Sequence, residues 1–176
     1  DAGLSSKTNR SFNSFANREY VTVQSLKKLT QHLRDWALDP QAWHLNGSST
    51  VFNLNEIDLE DNTAVYTKER WIHENGLEER LIISFSPKFK RYQETIRGRQ
   101  IERACHQIEV KAPARSAKNP NDPARFIQEL KTTPSGEVAQ QRHLSLDLDK
   151  IDNERQYDGF YGVVTNLEDD VQTILR

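Results

Sequence analysis

Apolar side chains recur every three or four residues between positions 86 and 111, the spacing that lines one face of an α-helix. Ser86 can accept a hydrogen bond from a first-turn amide, and Pro87 has no amide to leave unpaired, so the two residues mark a helix start. The pattern predicts one long helix over residues 86–111, with its apolar face turned toward a core. The members of that face are Phe89, Tyr92, Ile96, Ile101, Ala104, Cys105 and Ile108.

Strand patterns lie on both sides of this helix. Runs rich in β-branched and aromatic residues predict strands over residues 19–24, 51–54, 63–72, 77–84, 126–132, 138–146 and 158–167. Asn75-Gly76 predicts a hairpin between the third and fourth of these strands, because both residues tolerate positive φ. The strand over residues 19–24 is expected to be well buried and to lie beside the strand over residues 158–167. The fold class that follows is α+β.

Helical spacing recurs in three shorter segments. Leu26, Leu29, Leu33, Trp36 and Ala37 fall on one face and predict a helix over residues 26–38, which Asp39-Pro40 ends. Short helices are predicted within residues 5–15 and over residues 149–156. A last helix should begin near residue 168, with Asn166 as its cap.

Composition describes a folded protein of one domain, or one and a half, rather than a disordered chain. The 176 residues are only 35% hydrophobic with a mean hydropathy of −0.81, yet 3 Trp, 7 Phe and 5 Tyr provide bulky side chains for a core. A single cysteine, Cys105, excludes an internal disulfide. The sequence contains no apolar run of membrane-spanning length and no signal segment, which predicts a soluble cytoplasmic protein without membrane contact. The absence of methionine suggests a piece of a longer protein.

Charge is unevenly distributed along the chain. Residues 86–111 contain seven Lys and Arg against three Glu, a net charge of +4, whereas the rest of the chain is net −6. The helix is either an amphipathic helix with a basic solvated face or a surface for nucleic-acid phosphates. For the second interpretation the candidate phosphate contacts are Lys88, Lys90, Arg91, Arg97, Arg99 and Arg103, with Lys68 and Arg70 as weaker candidates.

Several kinds of catalytic site are missing from the sequence. The five histidines are scattered, and Cys105 and His106 are adjacent on a helix and point apart, so no zinc site is predicted. No glycine-rich phosphate loop and no nucleophile elbow is present. Asp147 and Asp149 lie on one side of a strand, where a strand end that caps the next helix explains them better than a metal does.

Three segments carry a family resemblance: DAGLSSKTN at the start, ERLIISFSPKFKRYQETIRGRQIERA in the middle and YDGFYGVVTNLEDD near the end. Together they resemble bacterial insertion-sequence transposases of the DDE type. That family has an RNase H-like catalytic domain with a long insertion between its second and third acidic residues. The resemblance implies that residues 1–45 and 157–176 are pieces of the catalytic domain. Residues 46–156 would be a β-hairpin-rich insertion with the long basic helix, packed to one side.

The resemblance also implies a metal-dependent reaction on DNA. Three carboxylates in this family hold two Mg²⁺ or Mn²⁺ ions, which activate the nucleophile and stabilise charge on the scissile phosphate. Asp1 matches the second of these acids and would be both catalytic and a metal ligand. The first acid would precede Asp1 and the third would follow Arg176, since residues 168–170 lie in the approach to the helix that carries it. We therefore expect the isolated chain to bind no metal and to be unable to cut or join DNA.

The implied partner is DNA at transposon ends, with a homodimer as the possible assembly. Two alternatives stay open. In the first, the chain is a protein-interaction module whose helix docks on another subunit, with Trp43 or Trp71 as an aromatic anchor. In the second, it is an unrelated metal-dependent nuclease with a site among Asp147, Asp149 and Asp158.

Overall fold

The computed structural model describes residues 5–15, 18–74, 76–110, 119, 121–132 and 138–175. Antiparallel strands and helices together confirm the α+β class. The chain forms two compact units, Asp1–Lys90 with Gly159–Arg176 as unit 1 and Arg91–Asp158 as unit 2. The predicted catalytic-domain pieces fall in unit 1 except for residues 157 and 158, and unit 1 also contains the first part of the predicted insertion. The assignment of residues 46–156 as an insertion stays a prediction.

The helices and strands follow in chain order. The strands are β1 Val21–Val23, β2 Trp43–Leu45, β3 Val51–Phe52, β4 Tyr66–Glu74, β5 Leu77–Phe85, β6 Ile127–Thr132, β7 Val138–Leu146 and β8 Phe160–Thr165. The α-helices are α1 Lys7–Asn13, α2 Gln31–Leu38, α3 Pro87–Glu109, α4 Leu148–Arg155 and α5 Val171–Ile174. Unit 1 contains a six-stranded antiparallel sheet in the order β1-β8-β5-β4-β2-β3, and unit 2 contains the β6–β7 hairpin.

The central hairpin of unit 1 is confirmed. Glu74 pairs with Leu77, and Gly76 between them has a φ of 77°, while Asn75 of the predicted turn lies outside the described residues. Leu81, Ile82 and Ile83 on β5 are fully buried, because this strand lies between β4 and β8 and is covered on both faces. The hairpin is therefore part of the same sheet as the terminal strand β8, and the expectation that it packs to one side is wrong.

The two strands near the chain ends are neighbours, as predicted. Val21, Thr22 and Val23 of β1 pair antiparallel with Thr165, Val164 and Val163 of β8. The expectation that β1 is well buried is wrong, because β1 is an edge strand and exposes Val21 and Val23. Hydrophobic sequence marked the strand correctly but could not show that it lies at the edge of the sheet.

The predicted helix over residues 26–38 is interrupted. A 3₁₀ turn covers Leu26–Lys28, and α2 begins only at Gln31, because Leu29 and Thr30 adopt extended ψ values of 150° and 156°. The apolar positions are nevertheless buried: Leu26, Leu29, Leu33 and Ala37 all lie in the core. The break changes the backbone conformation, but the predicted apolar side chains stay buried.

Unit 2 has its own small core. Ala104 of α3 packs with Phe126 and Ile151, and Ile101, Ile127 and Leu146 are partly buried against them. The β6–β7 hairpin and α4 match the predicted strands and helix. Asp147 accepts a hydrogen bond from the Lys150 amide at 3.0 Å, which confirms it as the cap of α4.

The long helix is confirmed over Pro87–Glu109, but its predicted buried face is partly wrong. Tyr92 is 61% exposed, whereas Arg97 and Gln100 are buried with Ala104. Asn166 does not cap the last helix either: Asp170 accepts from the Gln172 amide, and Asn166 bonds to the backbone at Tyr20 and Arg18.

Candidate nucleic-acid surface and the buried polar network

The predicted basic residues separate into exposed and buried groups. Lys88, Arg99 and Arg103 are exposed on α3, and Lys90 and Arg91 are half-buried. Asp1 lies outside the described residues, so its predicted catalytic and metal-binding roles stay predictions. Of the predicted phosphate contacts, Arg97 and Lys68 are buried.

Arg97 is held by a carboxylate from the end of unit 2. Its Nη1 donates to Asp158 Oδ1 at 2.5 Å and its Nη2 donates to Asp158 Oδ2, so the pair is bidentate. Arg97 is 8% exposed and Asp158 is 5% exposed. The hydrogen bond that Arg97 donates to Asp158 raises the pKa of Arg97, and the guanidinium stays charged. A phosphate therefore cannot reach Arg97, and Arg97 is no longer a candidate contact.

A second polar cluster supports the same side of α3. Arg125 donates from Nη2 to Gln100 Oε1 at 2.7 Å and to Glu154 Oε2 at 3.0 Å. Its guanidinium also lies over the Phe126 ring, 4.1 Å from the centroid. The buried side of α3 is thus polar at Arg97 and Gln100 and apolar at Pro87 and Ala104.

Lys68 is an interior lysine of unit 1. Its Nζ donates to the Asp39 carbonyl at 2.8 Å and lies 5.0 Å and 4.8 Å from the ring centroids of Trp36 and Trp43. Burial lowers the pKa of Lys68 to about 8. The buried ammonium cannot reach DNA, so Lys68 also leaves the candidate set. Arg70 stays exposed, with its guanidinium 5.4 Å from the Trp36 centroid.

Arg99 and Arg103 form the strongest remaining basic feature of unit 2. They are one helical turn apart, so their Cα atoms are about 6 Å from each other along the axis. Tyr92, Thr95 and His106 are exposed on the same side of α3. We call these five residues the α3 stripe. The two guanidinium groups suit the oxygen atoms of a phosphodiester backbone, whereas the Thr95 hydroxyl already donates to the Arg91 carbonyl at 2.9 Å.

No metal centre is found among the described residues, where no group of three or more His, Cys, Asp or Glu is arranged to hold an ion. The acids of the nuclease alternative are otherwise engaged: Asp158 binds Arg97, and Asp147 caps α4. Asp149 is exposed in the first turn of α4. These contacts leave the nuclease alternative without support from the part of the chain that the structure describes.

A buried network in unit 1, which the sequence pattern does not predict, centres on Glu79. This fully buried carboxylate receives the Tyr20 hydroxyl at 2.5 Å on Oε1 and lies 3.0 Å from Arg10 Nη1 through Oε2. Burial and the Glu79 carboxylate raise the pKa of Tyr20. The next residue, Arg80, donates to the Glu69 carboxylate and to the Asp169 carbonyl. The sequence does carry a sign of this network, because charged residues interrupt the alternation of apolar and polar positions in β5. Buried ion pairs explain such charges as well as a position at the edge of the sheet does.

An open groove of about 750 Å³ lies beside this network in unit 1. Trp71 is exposed in it, and the groove is lined by the carboxylates of Glu69, Glu78 and Glu168 and by the guanidinium groups of Arg70 and Arg80. Because Arg80 is already bound to Glu69, the groove presents more negative than positive charge. With this small excess of negative charge the groove suits a phosphate backbone less well than α3, which is the better candidate surface for nucleic acid.

The candidate site is therefore an exposed pair of arginines on the long helix α3 of an α+β protein. A search of protein families, curated proteins and solved structures finds no match. Within the described residues, no helix combines the length and the apolar character that crossing a bilayer requires.

Proposed function

We propose that this chain is part of a DDE-type DNA transposase and that α3 contributes a phosphate-binding surface. The observation that carries the proposal is that parts of the middle and last segments, and the residue that follows the first, contact one another in unit 1. Arg10, which directly follows DAGLSSKTN, binds Glu79 of ERLIISF, and Arg80 binds the Asp169 carbonyl of TNLEDD. Segments far apart in sequence thus act as one structural group, which supports reading them as one family signature.

In this proposal the strands near the chain ends belong to an RNase H-like domain, and Asp1 supplies one of three carboxylates. A Mg²⁺ or Mn²⁺ pair bound by the complete set would activate the attacking oxygen and stabilise charge on the phosphate. This chain would contribute one metal ligand and a grip on DNA. The isolated chain would be inactive, and the intact protein would act in the bacterial cytoplasm.

DNA binding tests the proposal directly. We expect the full 176-residue chain to bind a fluorescent DNA duplex, with an affinity that falls steeply as salt is raised. Each phosphate contact adds about 0.9 to the slope of log K against log salt, so Arg99→Gln with Arg103→Gln should reduce the slope by about 2. Fluorescence anisotropy at several salt concentrations measures this change.

The matched control makes the same charge change elsewhere. Lys28→Gln with Lys150→Gln removes two exposed cations that lie outside α3 and should leave the slope unchanged. If both double variants show the same slope of log K against log salt, the α3 stripe has no role in DNA binding.

The protein-interaction alternative keeps one supporting observation. Trp71 is exposed in the groove, so it can act as an anchor, but Trp43 is fully buried and cannot. A chain that dimerises with concentration and ignores DNA at low salt would favour this function over the transposase proposal. Sedimentation of the purified chain with and without duplex DNA distinguishes the two.

A further inference from the structure

Helix α1 is attached to unit 1 in an unusual way. None of its residues, Lys7–Asn13, is buried. Phe12 and the following Phe15 are 61% and 69% exposed, so the helix does not use its aromatic side chains to pack on the sheet. Arg18 lies over the Phe12 ring at 4.4 Å, but Arg18 is itself exposed. Apolar burial therefore contributes little to the docking of α1.

The side chain that does reach the sheet is Arg10. Its guanidinium is mostly buried and lies 3.0 Å from the Oε2 atom of Glu79. Glu79 has no contact with solvent, and its other oxygen accepts from Tyr20. A carboxylate in such a position is strongly destabilised when a charged partner is removed, unless water can reach it.

We propose that Glu79 is an electrostatic latch for α1, so that the helix leaves the sheet as a separate unit when the Arg10 contact is lost. Undocking would let water reach the Glu79 carboxylate and relieve the cost of its burial. The strand beneath it has an independent reason to stay folded, because Leu81 and Ile83 of β5 are fully buried in the core. The latch is therefore a local two-state element on a stable sheet.

Hydrogen exchange of the full chain, followed by mass spectrometry, tests the latch. The amides of Arg10 and Ser14 bond within α1 at 3.0 Å and 2.9 Å and report on the helix directly. In Arg10→Met we expect residues 5–15 to exchange at least tenfold faster, with no change in peptides from β5. In Glu79→Gln the increase should be smaller, because a neutral amide costs less to leave buried and can still bond to Tyr20.

Lys7→Met is the matched control, since it removes a charge from an exposed position of the same helix. It should leave the exchange of α1 unchanged. The proposal is overturned if Arg10→Met does not accelerate exchange in α1, or if α1 and β5 lose protection together. If a variant fails to fold, a second measurement on the wild type tests the proposal. Exchange of α1 should be insensitive to low concentrations of urea, whereas exchange of β5 should be sensitive to them.

The latch has a consequence that rests on the proposed function. Helix α1 follows the segment that carries Asp1, so the latch would set the path of that segment in the transposase. The exchange experiment needs neither DNA nor metal. A chain that fails to bind DNA but shows a releasable α1 would refute the transposase role alone.

Discussion

The buried pair between Arg97 and Asp158 gives the sharpest stability prediction in unit 2. Asp158→Asn keeps the size of the side chain and removes the charge that Arg97 faces. Because both residues are at most 8% exposed, the arginine would be left charged and largely out of water. It would keep at best one hydrogen bond to a neutral amide oxygen in place of a bidentate ionic pair.

The expected cost follows from this geometry. Removing one partner of a buried ion pair typically destabilises a protein by about 3–5 kcal/mol. Arg97→Met should cost a similar amount, since it leaves the Asp158 carboxylate buried. The double variant should cost clearly less than the sum of the two single variants, because it leaves no uncompensated charge.

The assay must follow the correct unit. All three tryptophans, Trp36, Trp43 and Trp71, belong to unit 1, so their fluorescence does not report on unit 2. Far-ultraviolet circular dichroism follows α3 and should show the shift in urea midpoint. Arg99→Met is the control on the exposed side of the same helix and should change stability by no more than about 0.5 kcal/mol.

Two results would refute the reasoning about this pair. One is a loss below about 1 kcal/mol for both single variants, which would mean that water already reaches the charges. The other is strict additivity in the double variant, which would mean that the two side chains do not stabilise each other.

Two further predictions concern unit 1. Burial places the folded-state pKa of Lys68 at about 8, below its ordinary 10.5, so the folded protein binds fewer protons than the unfolded chain between these values and stability should rise there. Urea unfolding at pH 7 and pH 9 should show a gain of roughly 1 kcal/mol that Lys68→Met lacks; parallel curves would contradict it. Gly159 has a φ of 86°, and an added Cβ would lie 2.6 Å from Phe85 Cε2 and 2.9 Å from Lys90 Cβ. Gly159→Ala should therefore lower the melting midpoint by an amount equivalent to about 1–3 kcal/mol. Gly98→Ala, in open space on α3, should raise it slightly, and equal effects of the two substitutions would refute the strain argument.

Much of the secondary structure could be predicted because its causes are local. Gly76 has positive φ between the paired strands of the central hairpin, and Ser86-Pro87 begins the long helix at the position observed. Burial was harder to predict where it depends on distant residues. Arg97 is buried because Asp158, 61 positions away, supplies its counter-charge, and a pattern that treats every arginine as a solvent-facing residue cannot detect this.

The same dependence on distant residues explains why the net charge of the long helix predicts its phosphate surface only in part. Net charge over residues 86–111 pointed to a phosphate surface, but it counted Arg97 together with Arg99 and Arg103. In the structure the first is neutralised inside unit 2, and only the other two lie on the α3 stripe. Charge counted along a sequence therefore overstates the charge that a ligand can reach.

The charges on β5 show how a short motif can organise a fold without facing solvent. Successive residues of a strand point to opposite faces of the sheet. Glu79 therefore binds Arg10 of α1 on one face, while Arg80 binds the Asp169 carbonyl, just before α5, on the other. One dipeptide fastens segments from the two ends of the described chain to a single strand. This arrangement gives Glu79 and Arg80 a structural reason to be charged.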